Sequence, residues 1–384
     1  MRKSFVGLML LVVSTVSLAT VEKSNFQPQW LANLERLTNV DGPSGFEGNV
    51  RKLIKKDWQQ SASRVEVDGL GNVFGFVNKQ AKGPNVLLMA HMDEVGFMVE
   101  SILEEGYLKV IPLGGISDNV ILGQRWVIRT PQGVVKAYSG LEAVHIMPRD
   151  KREKVLGKKA MFLDIGATSK QDAIDNFHIR PGLPVSPDSQ LTKLSNRRYL
   201  AKALDDRLGL AAISEVANAL NNKQLPNNFL LAATVEEEIG LRGASTVYAS
   251  TKPDVAINVE IGIADDFPLL TTEKGSDIQL GKGPTLFVYD RSMIPNQALL
   301  QWIADLATKN GIPFQYEVEQ GYGEDGAQVQ SSGQGVPAIN LGIPVRYAHE
   351  HAGVFDTEDF ENAVKLLKLI VENLDKETVN KFRG

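Results

Sequence analysis

Phe229-Leu-Leu-Ala-Ala-Thr-Val235 runs directly into Glu236-Glu237-Glu238, and the strand it predicts sets the architecture of this chain. The apolar run has the length and composition of a strand that is buried on both faces. Three consecutive carboxylates at its end repel one another unless cations neutralise them, although an exposed helix start could also hold them. Because open α/β sheets gather reactive groups at the carboxyl ends of their strands, we expect a functional edge here.

Three further apolar runs are each followed by a residue that can bind a metal: Val86–Ala90 before His91, Val255–Val259 before Glu260, and Ala338–Leu341 before His349. Helical spacing alternates with these runs, at 206–220, 296–309 and 357–375. The alternation predicts an α/β fold with a largely parallel sheet covered by helices on both faces. Each polar residue is expected at a strand end, where parallel strands bring such groups together.

The amino-terminal part of this fold is expected to begin with a helix and a hairpin. Ser44 and Glu47 have the spacing of a capping box, and an apolar helical face follows them. Residues 64–68 and 72–77 flank a Gly-rich turn and predict two antiparallel strands.

Between Ser101 and about Asn196 the pattern changes to short alternating strands separated by Gly and Pro, at 107–111, 125–129 and 134–138. A weak helical pattern occurs only at 169–176. The chain of 384 residues exceeds the ~250–300 residues at which single cores stop growing. We therefore expect a small β-rich domain at 100–196, inserted between two parts of an α/β domain at 26–99 and 197–380.

Residues 1–19 have the pattern of a secretory signal peptide: a basic start, an apolar core and the small residues of Ser17-Leu-Ala19. A membrane anchor is the alternative, but the run is short for a spanning helix of about 20 residues and is interrupted by Ser and Thr. The chain has no Cys, which excludes a lipid-attachment Cys and disulfides. We expect cleavage and export to a periplasm or the medium.

The charge of the chain argues against two classes of partner. The formal net charge is −5, and Lys and Arg are dispersed along the sequence instead of clustered. A nucleic-acid-binding surface needs a basic stripe or patch, and so does an electrostatic membrane surface. We expect no nucleic-acid partner and, after signal cleavage, no membrane partner.

Two short clusters have both a metal-binding and a structural interpretation. His91 and Asp93 are two residues apart, so Asp93 could orient a ligating imidazole, or the pair could be a buried hydrogen bond without metal. Asp205 and Asp206 precede a predicted helix and could cap it, or one carboxylate could bridge two metals about 3.5–4 Å apart.

The positions of the five histidines of the chain help to decide between the metal-binding and the structural interpretation. His349 lies in Arg346-Tyr-Ala-His-Glu-His351, which lacks the helical His-Glu-x-x-His pattern of single-zinc proteases. His91 and His349 nevertheless both follow predicted strands in the domain that carries every acid cluster. Their combination with these acids favours a metal site, in which one Glu of 236–238 ligates and its neighbour accepts a proton from water.

With these residues in their order, the chain resembles the metallopeptidase family 42 aminopeptidases, also called TET or deblocking aminopeptidases, which are dinuclear zinc enzymes. The resemblance covers approximately residues 29–376. The matching stretches are Ala90–Gly96, Leu113–Gly115, Leu122–Gln124, Phe162–Ala167, Lys202–Arg207, Thr234–Ala244, Pro253–Ile257 and Pro344–His349. Their order and spacing make the match specific.

The resemblance implies a zinc aminopeptidase-like fold, with dimerisation as the role of the β-rich insert, and two divalent ions per subunit, Zn²⁺ or alternatively Co²⁺. It implies the following roles: metal ligands His91 and Glu260, metal ligands Glu238 and His349, bridging ligand Asp205, general base Glu237, and Asp93 orienting His91. It also implies a cis peptide after the bridging Asp and assembly of dimers into a hollow dodecamer that admits small peptides.

Four features depart from the family pattern. Glu260 stands at a position where the family pattern has Asp, so its side chain is one methylene longer. Gly353 stands four residues after His349, where the family pattern has an acid. Glu350 or His351 could substitute for that acid. The usual Gly-Gly-Thr-Asp-Ala loop reads Gly321-Tyr-Gly-Glu-Asp-Gly-Ala327. Export is also unusual for this family, whose members look mainly intracellular.

The resulting hypothesis is hydrolysis of the amino-terminal peptide bond of peptides with free amino termini, with Glu237 activating a water shared by the two ions. A nearer alternative is hydrolysis of another amide or acylated substrate by the same metal pair. A non-catalytic exported scaffold or binding relative is a second alternative. A periplasmic solute-binding protein is a third, but it has no use for so dense a carboxylate cluster.

Overall fold

The computed structural model describes residues 28–78, 82–268 and 276–383. Residues 1–19, where the sequence predicts a signal peptide, lie outside the described residues. In the part of the chain that is described, no helix combines the length and the apolar character needed to cross a membrane.

Nine α-helices are present among the described residues: α1 (Gln29–Thr38), α2 (Gly48–Ser61), α3 (Lys170–Asp175), α4 (Leu204–Leu220), α5 (Ala244–Thr251), α6 (Gln297–Lys309), α7 (Gly326–Gln330), α8 (Thr357–Asn373) and α9 (Lys376–Lys381). The same residues form sixteen strands: β1 (Arg64–Val67), β2 (Val73–Phe76), β3 (Asn85–His91), β4 (Gly96–Ile102), β5 (Leu108–Leu113), β6 (Gln124–Thr130), β7 (Gly133–Ser139), β8 (Pro184–Pro187), β9 (Thr192–Lys193), β10 (Arg198–Ala201), β11 (Asn228–Thr234), β12 (Val255–Ile263), β13 (Thr285–Tyr289), β14 (Gln315–Val318), β15 (Ala338–Arg346) and β16 (Gly353–Asp356).

The larger sheet has eleven strands and confirms the α/β fold class. Its four central strands run parallel in the order β11-β3-β12-β15, whereas β1, β2, β16, β10 and β9 pair antiparallel at the two sides. Parallel pairing also occurs between β13 and β14, which join the sheet through the antiparallel pair of β13 with β15. The turns that join β1 to β2, β9 to β10 and β15 to β16 are short, and a short turn permits only antiparallel pairing.

Both faces of the central strands are covered, which explains why these strands are apolar throughout. Val86, Leu88 and Ala90 of β3 pack in the core formed with α1, α2, α4, α6 and α8. Leu87 and Met89 point to the opposite face and pack with residues of α5 and α7. Alternate residues of a strand face opposite sides, so a strand between two helical layers carries no polar face.

The smaller sheet has five antiparallel strands in the order β5-β4-β8-β6-β7. It has its own core, in which the rings of Phe97 and Trp126 meet edge to face with centroids 5.2 Å apart. Its strands lie within residues 96–187. Thr192–Lys193 falls inside the insert expected from the sequence, yet as β9 it pairs with β10 of the larger sheet.

Two local predictions are wrong. Ser44 and Glu47 do not form a capping box, because α2 begins at Gly48 without a side-chain cap. The Ser44 hydroxyl instead donates to Asp93 at 2.6 Å, and the Glu47 carboxylate accepts from the backbone amide of Glu236 at 3.1 Å. Glu260 is not a strand terminus, because β12 continues to Ile263 along its parallel neighbour β15.

Candidate metal centre

The Asp205 carboxylate lies between two imidazoles that come from opposite ends of the polypeptide. Oδ1 of Asp205 is 2.9 Å from Nε2 of His91, and Oδ2 is 3.1 Å from Nε2 of His349. The two rings therefore face one carboxylate group, with one oxygen toward each ring. A carboxylate held in this way can bridge two cations.

Each imidazole also has a second acid beside it. Oε2 of Glu260 is 3.8 Å from Nε2 of His91, and Oε1 of Glu238 is 3.5 Å from Nε2 of His349. The structure thus brings together all five residues for which the sequence predicts metal ligation, and it groups them as His91 with Glu260 and His349 with Glu238. Ligand atoms of His91, Asp205 and Glu238 all lie within 4.8 Å of one another.

The parallel strands position these residues at one edge of the larger sheet. His91 ends β3 directly beside Thr234, the last residue of β11, so the acids that follow Thr234 lie next to the imidazole. His349 follows β15, and its φ of 58° is left-handed, which is uncommon for a residue with a Cβ. Such a conformation persists where surrounding contacts determine it and is frequent at functional sites.

One contact fixes the orientation of the His349 ring. Its Nδ1 lies 2.7 Å from the carbonyl oxygen of Gly115, so Nδ1 carries the donated proton. In the neutral ring, Nε2 then has a free lone pair directed toward Asp205. This is the tautomer that a metal ligand requires.

Asp93 supports His91 and the acidic segment together. Its Oδ1 is 3.4 Å from Nδ1 of His91, and its two oxygens accept from the backbone amides of Glu237 at 3.0 Å and Glu238 at 3.1 Å. Burial raises the pKa of Asp93, but the adjacent His91 ring and the hydrogen bond from Ser44 outweigh burial and leave that pKa below its usual value. The carboxylate therefore stays ionised and links β3 to the loop after β11.

Asp205 and Asp206 differ in their contacts, so that one suits the predicted role of a metal bridge and the other that of a helix cap. The peptide bond between them is cis, as the resemblance implies. Asp206 is buried and accepts from the backbone amides of Gly209 at 2.9 Å and His91 at 3.3 Å. Helix capping thus falls to Asp206, while the carboxylate of Asp205 is directed to the imidazoles.

The acids and imidazoles of this centre are chemically suited to hold divalent cations. Oε1 of Glu238 and Oε1 of Glu260 are buried without a hydrogen-bond partner among the described residues. Burial raises the pKa of Glu238 to about 7, and burial and the nearby Asp206 raise the pKa of Glu260 well above its usual value. A cation bound between buried, unpartnered carboxylates and imidazole nitrogens would offset the cost of burying these acids, and this mixed set of N and O donors suits Zn²⁺.

Glu237 occupies a different position in the same site. Among the described residues, its carboxylate has no ion-pair contact with either imidazole within 4 Å, although it lines the same cavity. Burial raises its pKa well above the ordinary value, and the nearby Glu260 raises it further. A carboxylate with a raised pKa that is not engaged by the imidazoles can accept and return a proton.

The centre opens into a cavity of about 820 Å³. Its wall includes Glu324, which the sequence reasoning did not single out as a site residue. The only signal for it was the departure of the loop Gly321–Ala327 from the family pattern. Glu350 also lines the cavity.

His351 stays outside the centre. Its Nε2 contacts the backbone carbonyl of Arg125 at 2.6 Å, and its ring packs edge to face on Trp126 of β6. It therefore joins the smaller sheet to the larger one. The missing acid at Gly353 has a steric reason, because a Cβ there would lie 2.9 Å from the Val345 side chain and 3.0 Å from the carbonyl oxygen of Arg346.

The chain is similar to known proteins over most of its length. The M42 glutamyl aminopeptidase family matches residues 71–366. A putative aminopeptidase FrvX of Escherichia coli is 33% identical over 350 residues, which cover 91% of this chain and 97% of that protein.

Two solved structures share the fold over nearly their whole length. A TET aminopeptidase from the marine sediment archaeon Thaumarchaeota archaeon SCGC AB-539-E09 is 38% identical, with a TM-score of 0.88 and coverage of 92% of this chain and 99% of that one. The TET1 peptidase of Pyrococcus horikoshii, which can assemble into a tetrahedron or a large octahedral shell, is 28% identical, with a TM-score of 0.81 and coverage of 90% and 100%. By sequence and by fold, this chain belongs to the M42 glutamyl aminopeptidase family.

Proposed function

We propose that this chain is a metal-dependent aminopeptidase that removes the amino-terminal residue from small peptides. The observation that carries the proposal is the carboxylate of Asp205 between His91 and His349, each of which has an acid of its own. Membership of a family of aminopeptidases supports the same reaction.

Two divalent cations, most simply Zn²⁺, would be held by His91 with Glu260 and by His349 with Glu238, sharing Asp205. When bound, such ions polarise a carbonyl group and make water nucleophilic at neutral pH. Asp93 and the carbonyl of Gly115 keep the two imidazoles in the orientation that this requires.

Glu237 is the residue that moves the proton in this proposal. Its carboxylate accepts a proton from the attacking water and then gives it to the leaving amine, because one group must act first as base and then as acid. The raised pKa of Glu237 suits the second step. The hydrogen bond from its backbone amide to Asp93 holds the residue at the cavity wall.

We further propose that the chain forms homo-oligomers through its smaller sheet. Several large apolar side chains on this sheet and on the segment between β7 and β8 are exposed: Ile111, Val134, Tyr138, Leu141, Ile146 and Phe162. Exposed apolar patches are typical of protein contact surfaces. The shell-forming TET1 peptidase offers a precedent within the fold. Sedimentation of the purified protein tests the proposal, and a monomer at micromolar concentration contradicts it.

Export remains a proposal based on residues 1–19 alone. Amino-terminal sequencing of the protein from periplasmic and culture fractions should find a start at or near Thr20. A full-length chain retained in the cytoplasm contradicts it.

The central experiment combines metal analysis of the purified mature chain with a panel of aminoacyl amides and their acetylated counterparts. We expect bound divalent metal and cleavage of only the free-amine substrates. Cleavage of acetylated substrates instead would indicate the alternative amide hydrolase. Metal binding without any cleavage would indicate a non-catalytic relative.

A further inference from the structure

Glu324 is a buried acid in the wall of the cavity that the proposed mechanism does not use. The residue is 2% exposed, and neither of its carboxylate oxygens has a hydrogen-bond partner among the described residues. Its backbone amide donates to the hydroxyl of Ser292 at 3.3 Å, which anchors this part of the loop. A buried polar group without a partner costs about 1–3 kcal/mol, and a charged one costs more, so a ligand group that pairs with it would be bound favourably.

The surroundings of Glu324 favour a positive ligand. The charged groups that act most strongly on the carboxylate of Glu324 are all acids: Asp290, Glu317, Glu237 and Asp205. Burial raises the pKa of Glu324 well above its usual value, and Asp290 and Glu317 raise it further. An incoming cation would offset both effects, whereas an incoming anion would add to the repulsion.

The rest of the cavity wall also carries mainly negative charge. Apart from the residues of the metal centre, the described residues of this wall include four acids and one basic residue, Arg291. The acids are Asp265, Glu319, Glu324 and Glu350. Arg291 is solvent-exposed. Clefts lined by one sign of charge concentrate ligands of the opposite sign.

The cavity also offers an apolar path. Leu241 and Ile263 line it, together with Phe267 and Tyr347, whose ring centroids are 4.9 Å apart. Long basic side chains place a hydrocarbon stem against apolar surface and a charged group at its end. Acidic and apolar walls in one cavity of about 820 Å³ suit this shape.

We propose that Glu324 is a specificity-determining residue that selects substrates whose amino-terminal residue is Lys or Arg, by pairing with the charged end of that side chain. This inference rests on the proposed aminopeptidase function. A peptide has one free amino terminus, which lies next to the scissile carbonyl at the metal centre and its acids. The additional anion at Glu324 therefore calls for a second cation, and the side chain of the first residue supplies it.

The test measures kcat/KM of the metal-loaded chain for fluorogenic amides of Lys, Arg, norleucine and Glu. Norleucine lacks the ammonium group of Lys and otherwise keeps its stem. We expect Lys to be preferred over norleucine by about tenfold or more, the range for a hydrogen bond between charged groups. Glu324→Gln should lower this ratio by a similar factor.

Glu317→Gln is the matched control, because it removes a buried carboxylate that acts on Glu324 but is not among the described residues that line the cavity. The ratio of Lys to norleucine should stay within about threefold of the original value in this variant. A second readout is the calorimetric affinity of the unmodified chain and of Glu324→Gln for free L-lysine and L-norleucine. The substitution should weaken the binding of lysine only.

Several results overturn the inference: a ratio near one, a preference for Glu through Arg291, an unchanged ratio in Glu324→Gln, or loss of metal from that variant, which would make Glu324 a ligand. Hydrolysis without preference for Lys overturns this inference and leaves the proposed function standing. Binding of lysine that depends on Glu324, without hydrolysis of any amide, overturns the proposed function and retains the cation site.

Discussion

Asp205 and Asp206 are identical neighbours with separate tasks, and the local backbone makes the difference. Both depart from helical φ and ψ at the start of α4, so their carboxylates diverge. That of Asp206 accepts from the backbone amide of Gly209, and that of Asp205 meets both imidazoles. A single residue type thus serves as helix cap and as candidate bridge, because conformation determines which donors each carboxylate reaches.

Replacing Glu237 by Gln should lower kcat by about 10²–10⁴, the range for loss of a general acid–base group. The amide keeps the size of the side chain but cannot accept the proton. Metal content, measured by mass spectrometry, should be unchanged because Glu237 is not among the proposed ligands. Steady-state kinetics on an aminoacyl amide measure the loss.

Glu236→Gln is the control for this substitution. Glu236 pairs with Arg242 at 2.5 Å, away from the imidazoles. Its replacement should leave turnover within a few-fold. If Glu236→Gln is as damaging as Glu237→Gln, or Glu237→Gln retains near-normal turnover, the assignment of the base is wrong.

Two buried ion pairs show how elements are held together behind the site. The ammonium of Lys202, which directly follows β10, donates to both oxygens of Glu94 at 2.7 and 2.8 Å. Nη2 of Arg207 in α4 is 3.8 Å from the same carboxylate. Glu94 follows β3 closely, so the network joins the loop of His91 to the segment of Asp205. Buried pairs of this kind are costly to break, because the remaining charge has no partner.

Lys202→Met should therefore destabilise the fold by about 3–5 kcal/mol, the cost of leaving one partner of a buried pair uncompensated. Thermal or denaturant unfolding of the metal-loaded chain measures the effect. The double variant Lys202→Met with Glu94→Gln should recover part of the loss, since the buried carboxylate that Lys202→Met leaves without its ammonium is then replaced by a neutral amide, although Arg207 loses the same carboxylate. Equal stability of the single and the double variant would contradict this explanation.

Glu317 in β14 makes stability depend on pH. Burial raises its pKa from 4.5 to about 8, and it accepts from the backbone amide of Ile263 at 2.8 Å. Between these two pH values the folded chain holds a proton that the unfolded chain releases. The folded state is therefore favoured below about pH 4.5, and this stabilisation falls by up to about 1.4 kcal/mol per pH unit until the folded group ionises near pH 8.

Glu317→Gln should abolish this contribution, because the amide stays neutral at every pH. Melting temperatures of the variant and the unmodified chain should diverge in favour of the variant as pH rises from 5 to 8. The difference between the two proteins isolates Glu317 from the other buried acids. A constant difference over this range would show that Glu317 is already ionised in the fold.

For the whole molecule, removal of metal should reduce both activity and stability. The acids of the centre are buried and close together, so without cations they repel one another or must bind protons. A chelator should abolish hydrolysis and lower the melting temperature, and Zn²⁺ or Co²⁺ should restore both, since binding to the folded state stabilises it. Full activity after dialysis against chelator, verified by metal analysis, would exclude a metal-dependent reaction.

The sequence by itself determined the α/β class and the positions of most helices and central strands, and it predicted the candidate ligands that the structure brings together at one edge of the sheet. These features are local: apolar periodicity records which side of an element is buried, and Phe229–Val235 reads as a strand without reference to any partner. The resemblance then supplied roles for single residues. The structure places Glu260 near His91 and Glu238 near His349, and the roles of these four residues as ligands stay predictions.

Only the tertiary structure decided how the elements combine. The order of strands makes His91 and His349 neighbours of one carboxylate, and it directs Ser44 and Glu47 to the loops of the site instead of to α2. It also buries Glu324 without a partner in the cavity wall. Such contacts join residues far apart in the chain, and periodicity carries no information about them, because they depend on which strands pair and on which groups are left without water or a hydrogen bond.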